Sequence, residues 1–262
     1  MPIKAQKKLG QNFLLSKEVI EHMLEAGKID PHDIVVEAGP GKGILTEALL
    51  RCARQVIAIE KDPRLIMYLS LKFKREIDSG KLILRHGDIL EFEPEHEHLK
   101  PNGYKIAANI PYYLTGQFLR FFLGHTTYPS TMVLLVQKEV AKRVATDEKE
   151  SILSIAVKAF GTPRYVETVP ARLFSPRPKV DSAVLLIENI SRDFFSTIDE
   201  QRFFEVVRAG FAQKRKKLAG NLTAVTNKKI IQEIFAANNL SENARAEEVP
   251  LSKWKAIIKE LM

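Results

Sequence analysis

The sequence predicts an α/β fold followed by a small all-helical C-terminal domain, and three observations carry that expectation. A buried-strand pattern, Ile34-Val35-Val36-Glu37-Ala38, runs into the turn Gly39-Pro40-Gly41-Lys42-Gly43 and then into a helical pattern from Ile44 to Ala53. Strand, glycine-rich turn and helix open a nucleotide-type α/β unit. A second apolar run, Val56-Ile57-Ala58-Ile59, ends in an acid, Glu60. Beyond Asn189 only helical patterns remain, which puts the expected domains at 1–189 and 190–262.

With 262 residues, 45% of them hydrophobic and 27% charged, the chain can bury a substantial core. Cys52 is its single cysteine, so an intrachain disulfide is excluded and a reducing cytoplasm is the expected location. The basic start, Met1 to Lys8, lacks the apolar core of a signal peptide, and no apolar run is long enough to cross a bilayer. A net charge of +8 favours a polyanionic partner such as nucleic acid, although a merely basic enzyme also fits.

The elements follow in order. Lys7 to Leu14 form an arm that is either an ordinary lead-in or a segment that folds over a ligand. Ser16 is the N-cap of a helix whose apolar stripe is Val19, Ile20, Met23 and Leu24. The glycine turn either lets backbone approach a ligand or is a tight connection. Its spacing is G-x-G-x-G; Ile44 stands where a dinucleotide fingerprint needs glycine, which disfavours an NAD-dependent dehydrogenase. Glu60, at the end of the second strand, can accept from both hydroxyls of a ribose. Asp62-Pro63 starts the next helix. Leu82-Ile83-Leu84 is the third strand, and Asp88 follows it at the same sheet edge, either as a helix or turn cap or as an acceptor for the amino group of a bound adenine. His96-Glu97-His98 lacks a third ligand at metal spacing and reads as a solvated loop, so no metal site is expected.

Tyr104 to Ala108 is the fourth strand, and Asn109-Ile110-Pro111-Tyr112-Tyr113 leaves it. Pro111 ends sheet pairing and turns the Ile110 carbonyl outward. Asn109 then offers an amide oxygen beside that carbonyl, with a tyrosine ring nearby. The set suits a planar ligand bearing an exocyclic NH2, but it also reads as a plain strand exit with a tyrosine anchor. A helix opens at Thr115, and Met132 to Val136 is a fifth, central strand. Two helices, at 139–145 and 152–160, precede two final strands at 164–169 and 183–188. Between those strands Leu173 to Ser182 is stiffened by Pro176 and Pro178. It presents Arg177 and Lys179 to phosphates or simply crosses the surface. The helical domain carries Lys214-Arg215-Lys216-Lys217, read as part of a helix and as a phosphate-tracking face rather than a merely solvated run.

Taken together, Leu9-Gly10-Gln11-Asn12-Phe13-Leu14, Glu37 to Gly43, Glu60, Asp88, Asn109-Ile110-Pro111-Tyr112, Phe174 to Val184, Phe211 to Leu218 and Arg245 to Glu248 resemble the ribosomal RNA adenine N6-dimethyltransferases. These are class I methyltransferases that use S-adenosylmethionine. The resemblance spans nearly the whole chain. It implies a Rossmann-like, mostly parallel sheet of seven strands, with residues 1–30 as an arm and helix closing over the cofactor. It implies that Asn12, Leu14, Gly39, Gly41, Glu60, Asp88 and Asn109 hold the cofactor, and that Asn109, Ile110, Pro111 and Tyr112 grip the target base. It further implies dimethylation of two adjacent adenosines in a hairpin near the 3′ end of small-subunit rRNA, on an immature small ribosomal subunit. A monomer is expected. One departure stands out: Tyr113 occupies a position where the family commonly has Asn or Gln. A sister family acts on large-subunit RNA and shares the Asn-Ile-Pro-Tyr core. A catalytically silent RNA-binding assembly factor is the remaining rival, and the intact set of site residues argues against it.

Overall fold

The computed structural model of the chain describes residues 5, 6 and 10–261. Lys7, Lys8 and Leu9 of the arm lie outside them. By packing, the chain divides into two compact units, Met1–Ala141 with Pro163–Ile190, and Lys142–Thr162 with Ser191–Met262.

The first unit holds β1 (Phe13–Leu14), α1 (Lys17–Ala26), β2 (Ile34–Ala38), α2 (Ile44–Cys52), β3 (Gln55–Glu60), α3 (Pro63–Lys72), α4 (Lys74–Asp78), β4 (Leu82–His86), β5 (Lys105–Asn109), α5 (Thr115–Gly124) and β6 (Thr131–Gln137). After α6 (Lys138–Ala145) and α7 (Ile152–Phe160) come β7 (Thr162–Val169), β8 (Phe174–Ser175) and β9 (Ser182–Glu188). Seven strands form one sheet in the order β4-β3-β2-β5-β6-β9-β7. The five from β4 to β6 are parallel and β9 runs antiparallel to β6. This is the mostly parallel, Rossmann-like sheet the sequence predicts. Val35, Val36, Ile57, Ile106 and Leu134 are buried, as strands covered on both faces require.

Helix starts follow local chemistry. The Ser16 hydroxyl accepts from Val19 N at 3.4 Å, and Asp62 caps α3 with Pro63 in its first turn. Gly43 begins α2 at φ +76, and a Cβ there would lie 2.6 Å from the Phe73 ring and 2.8 Å from Leu69. Gly43→Ala therefore combines left-handed backbone strain with overpacking. It should cost about 2–4 kcal/mol of stability, read as a shift in the chemical denaturation midpoint.

The arm and the proline-stiffened loop meet across the chain. β1 pairs antiparallel with β8, Phe13 opposite Ser175 and Leu14 opposite Phe174. Leu15 N adds a bond to Leu173 O at 2.9 Å. The loop is itself pinned where Asp181 Oδ1 accepts from Ala171 N at 2.9 Å.

In the second unit α8 (Glu200–Gly210), α9 (Leu218–Leu222), α10 (Lys228–Ala237) and α11 (Leu251–Glu260) bury Phe203, Val207, Leu222, Ile231 and Trp254, with Ile155 and Ala159 of α7 in the same core. The predicted helix through Lys214–Lys217 is not formed. Residues 211–216 are turns, and Lys217 is extended at ψ 143. The buried Asn221 amide ends α8 instead, donating to Gly210 O at 2.6 Å and Gln213 O at 3.2 Å.

Candidate active site

Parallel register brings the strand ends to one edge, because Ala38 lies opposite Ile59 and Ala108 while Glu60 lies opposite His86. A cavity of about 270 Å³ opens there, lined by Asn12, Gly39, Glu60, Asp88, Asn109 and Tyr112 among others. Gly41, Ile110 and Pro111 also face it. Leu14 does not. It is buried, and lines an adjoining cavity of about 210 Å³ that shares Phe13, Gly39, Gly41 and Asn109 as walls.

The glycine turn is shaped for close approach. Gly39 and Gly41 have φ +65 and +58. A Cβ at Gly39 would meet nothing within 4 Å, so the backbone there borders open space. A Cβ at Gly41 would lie 3.0 Å from the Phe13 ring, so glycine lets the arm rest on the turn. Glu60 is fixed from both sides. Its Oε2 accepts from Gly41 N at 3.1 Å and its Oε1 from Asp62 N at 2.9 Å. Burial raises its pKa, and those two N–H groups counter the rise. Each oxygen keeps a lone pair for a further donor.

Asp62, read in the sequence only as a helix start, also anchors the arm. Gln6 and Gln11 donate to its Oδ2 at 3.2 and 3.4 Å, and Arg64 does so at 2.7 Å. The Arg64 guanidinium, against burial, holds the Asp62 carboxyl down at about 2.

Asn109 ends β5, and its Nδ2 donates to the Asn12 carbonyl of the arm at 3.0 Å. A carbonyl only accepts, so this contact fixes the NH2 toward the arm and leaves Oδ1 as the free end. Ile110 N bonds Leu135 O at 3.2 Å, continuing the ladder one step past the strand. Among the described residues no hydrogen bond takes up Asn109 Oδ1 or the Ile110 carbonyl. Pro111 then leads into a short turn, Tyr112–Leu114. The half-buried Tyr112 ring is anchored by its hydroxyl, 2.7 Å from Ser182 Oγ.

Asp88 takes the turn-cap alternative, and its second oxygen is engaged by a lysine of the chain. Its Oδ1 caps a turn by accepting from Leu90 N at 3.0 Å, and its Oδ2 pairs with Lys61 at 2.6 Å. Burial alone would raise its pKa, but Lys61 and Leu90 N–H outweigh burial and hold it low.

Glu37 has no role in the sequence reading. It is 1% exposed, lines the adjoining cavity, and its Oε2 has no hydrogen-bond partner among the described residues. Burial pushes its carboxyl up to about 8 despite the neighbouring Thr46, with Glu60 adding to the rise. An unpaired buried acid is costly, and a cationic group in that cavity would relieve it. Its sequence signal is an acid inside an otherwise apolar strand.

Arg177 and Lys179 are exposed in the first unit, and Lys214, Arg215, Lys216 and Lys217 are exposed in the second. His96 pairs with Glu93 at 3.0 Å, and no group of three or more His, Cys, Asp or Glu suited to a metal occurs among the described residues. No described helix is long and apolar enough to cross a membrane.

Comparison with known proteins adds to this geometry. The family model described as ribosomal RNA adenine dimethylase matches residues 3–262. A protein of Dehalococcoides mccartyi named ribosomal RNA small subunit methyltransferase A is 39% identical, over 98% of this chain and 89% of its own. The protein of the same name from Fusobacterium nucleatum is 34% identical, over 99% and 98%. Among solved structures, the 23S rRNA methyltransferase ErmE superposes with a TM-score of 0.77 at 26% identity, covering 95% of this chain and 99% of that one. A dimethyladenosine transferase from Plasmodium falciparum, 24% identical, shares the fold with a TM-score of 0.76, over 94% and 95%.

Proposed function

The chain belongs to the ribosomal RNA adenine dimethylase family, and from that premise we propose that it transfers methyl groups from S-adenosylmethionine to the N6 atoms of two adjacent adenosines in a hairpin near the 3′ end of small-subunit rRNA. The observation that carries this reading is the Asn109 amide, turned by the arm so that its oxygen is the free end, in one cavity with Ile110 and Tyr112. The small-subunit assignment draws on the names of relatives 34–39% identical, against 26% for the 23S enzyme. Immature small subunits are the natural substrate, and the enzyme works as a cytoplasmic monomer.

The residues present fit the cofactor. Glu60 would accept from the ribose hydroxyls, Asp88 would border the adenine, and Gly39 and Gly41 would let backbone lie along the amino-acid end. The orphaned Glu37 Oε2 would receive that end's ammonium. When bound, S-adenosylmethionine supplies an electrophilic methyl on a sulfonium whose thioether leaves neutral, so no acid is needed. The chain's task is the nucleophile. The adenine amino lone pair is delocalised into the ring and attacks poorly. Asn109 Oδ1 and the Ile110 carbonyl accept the two N–H bonds, favour a pyramidal nitrogen and stabilise the positive charge that develops on it. Tyr112 stacks on a base splayed from its loop, a contact worth about 1–3 kcal/mol. The proton leaves to water after transfer. Once the first methyl is on, one acceptor loses its donor, so the pocket accommodates a methyl beside Asn109 or Ile110.

The direct test incubates the protein and S-adenosylmethionine with small subunits from a strain lacking it, then maps adenosines by mass spectrometry. Two adjacent N6,N6-dimethyladenosines are expected; modification of large-subunit RNA instead would transfer the chain to the sister activity. Replacing Lys214, Arg215, Lys216 and Lys217 by Gln should weaken rRNA binding and flatten its log–log salt slope by about 1 for each phosphate that these cations neutralise in the wild type. An unchanged slope removes this turn from the RNA interface.

A further inference from the structure

Two consecutive tyrosines leave the site in opposite circumstances. Tyr112 is half-buried and tied to Ser182, whereas Tyr113 is 66% exposed although it belongs to the wall of the same cavity. Both sit in the turn Tyr112–Leu114, a 3₁₀ geometry in which successive side chains diverge by about a third of a turn. They start from one point of the backbone and face different ways.

The exposed ring is supported from below. Gly10 has φ +61, and a Cβ there would lie 3.0 Å from Tyr113 Cε1 and 3.3 Å from its Cδ1. Glycine takes this left-handed backbone without strain and lets the arm lie close under the ring. Among the described residues no aromatic ring packs against Tyr113 and no hydrogen bond engages its hydroxyl. A large ring held in place and left uncovered at a site mouth is a stacking platform without its partner.

The substrate class supplies that partner. The two target adenosines are neighbours on one strand, so when one base enters beside Tyr112 the next hangs one nucleotide away. We propose that Tyr113 stacks on the base covalently adjacent to the acceptor adenosine, and so sets which of the two adjacent adenosines enters the site. This rests on the function proposed above.

The test compares wild type with Tyr113→Ala and Tyr113→Phe on small subunits lacking the modification. Tyr113→Ala should lower kcat/KM for the subunit between about 5-fold and about 100-fold, the range for losing one stacked base. It should leave cofactor affinity unchanged and shift the ratio of dimethylation between the two adenosines, read by mass spectrometry. Tyr113→Phe, which keeps the ring face, should recover most of the loss. Three outcomes overturn the proposal: Tyr113→Ala modifying both adenosines as wild type does, a parallel fall in cofactor affinity, or Tyr113→Phe falling as far as Tyr113→Ala. A wild-type protein that methylates no adenosine would instead sink the functional reading itself, so the two failures are distinguishable.

Discussion

Asn109→Ala should slow methyl transfer by about 10²–10³-fold, the range seen when one preorganised hydrogen-bonding group is removed from a site of developing charge. Cofactor affinity should stay within a few-fold. The substitution removes both ends of the amide. Loss of Oδ1 leaves one adenine N–H without its acceptor, and loss of Nδ2 frees the Asn12 carbonyl it holds at 3.0 Å. Asn109→Asp separates the two effects. It keeps an acceptor of the same shape, but sets a carboxylate oxygen against the Asn12 carbonyl, acceptor against acceptor, so the arm should be repelled and cofactor affinity should fall as well. Single-turnover transfer and cofactor titration on both variants check the assignment. An alanine variant with near wild-type transfer rules out the acceptor mechanism.

Glu37→Gln should weaken cofactor binding by about 10- to 100-fold, the effect of losing a hydrogen bond to a charged group, and should abolish its pH dependence. The free protein holds Glu37 protonated up to about pH 8. An ammonium in the adjoining cavity needs the carboxylate, so binding releases a proton, and wild-type affinity should rise with pH and level off near 8. Calorimetry in two buffers of different ionisation enthalpy counts that proton. The same residue affects stability. Its folded pKa is raised from the ordinary 4.5 to about 8, so the folded state holds a proton that the unfolded chain has lost between those values. The stabilisation from holding it is fully present below 4.5 and is lost as pH rises through 8. Glu37→Gln should therefore flatten the decline of melting temperature across that window. Unchanged cofactor affinity in the variant would show that no cation meets Oε2.

The sequence by itself determined the seven strands of the main sheet, most helix starts and the identity of the residues at the sheet edge. These are written in short-range chemistry: the Ser16 cap, the Asp62-Pro63 start, uninterrupted apolar runs in β3 and β6, and the proline that stops β5. Because parallel strands align their ends, Gly39, Glu60, Asp88 and Asn109 had to converge once the order of strands was given. Tertiary structure alone decided what joins across long separations. β1 and β8 have two residues each, too few for any period, and pair across some 160 positions. Leu14 turns away from the main cavity, Asp62 becomes the anchor of the arm, and the cation run becomes a turn because Asn221 captures the end of α8. The physical reason is that a periodic pattern reports only a residue's own neighbours along the chain. Which polar groups find partners, which stay orphaned like Glu37 Oε2, and which rings stay uncovered like Tyr113 depend on surfaces that exist only after the chain has closed on itself.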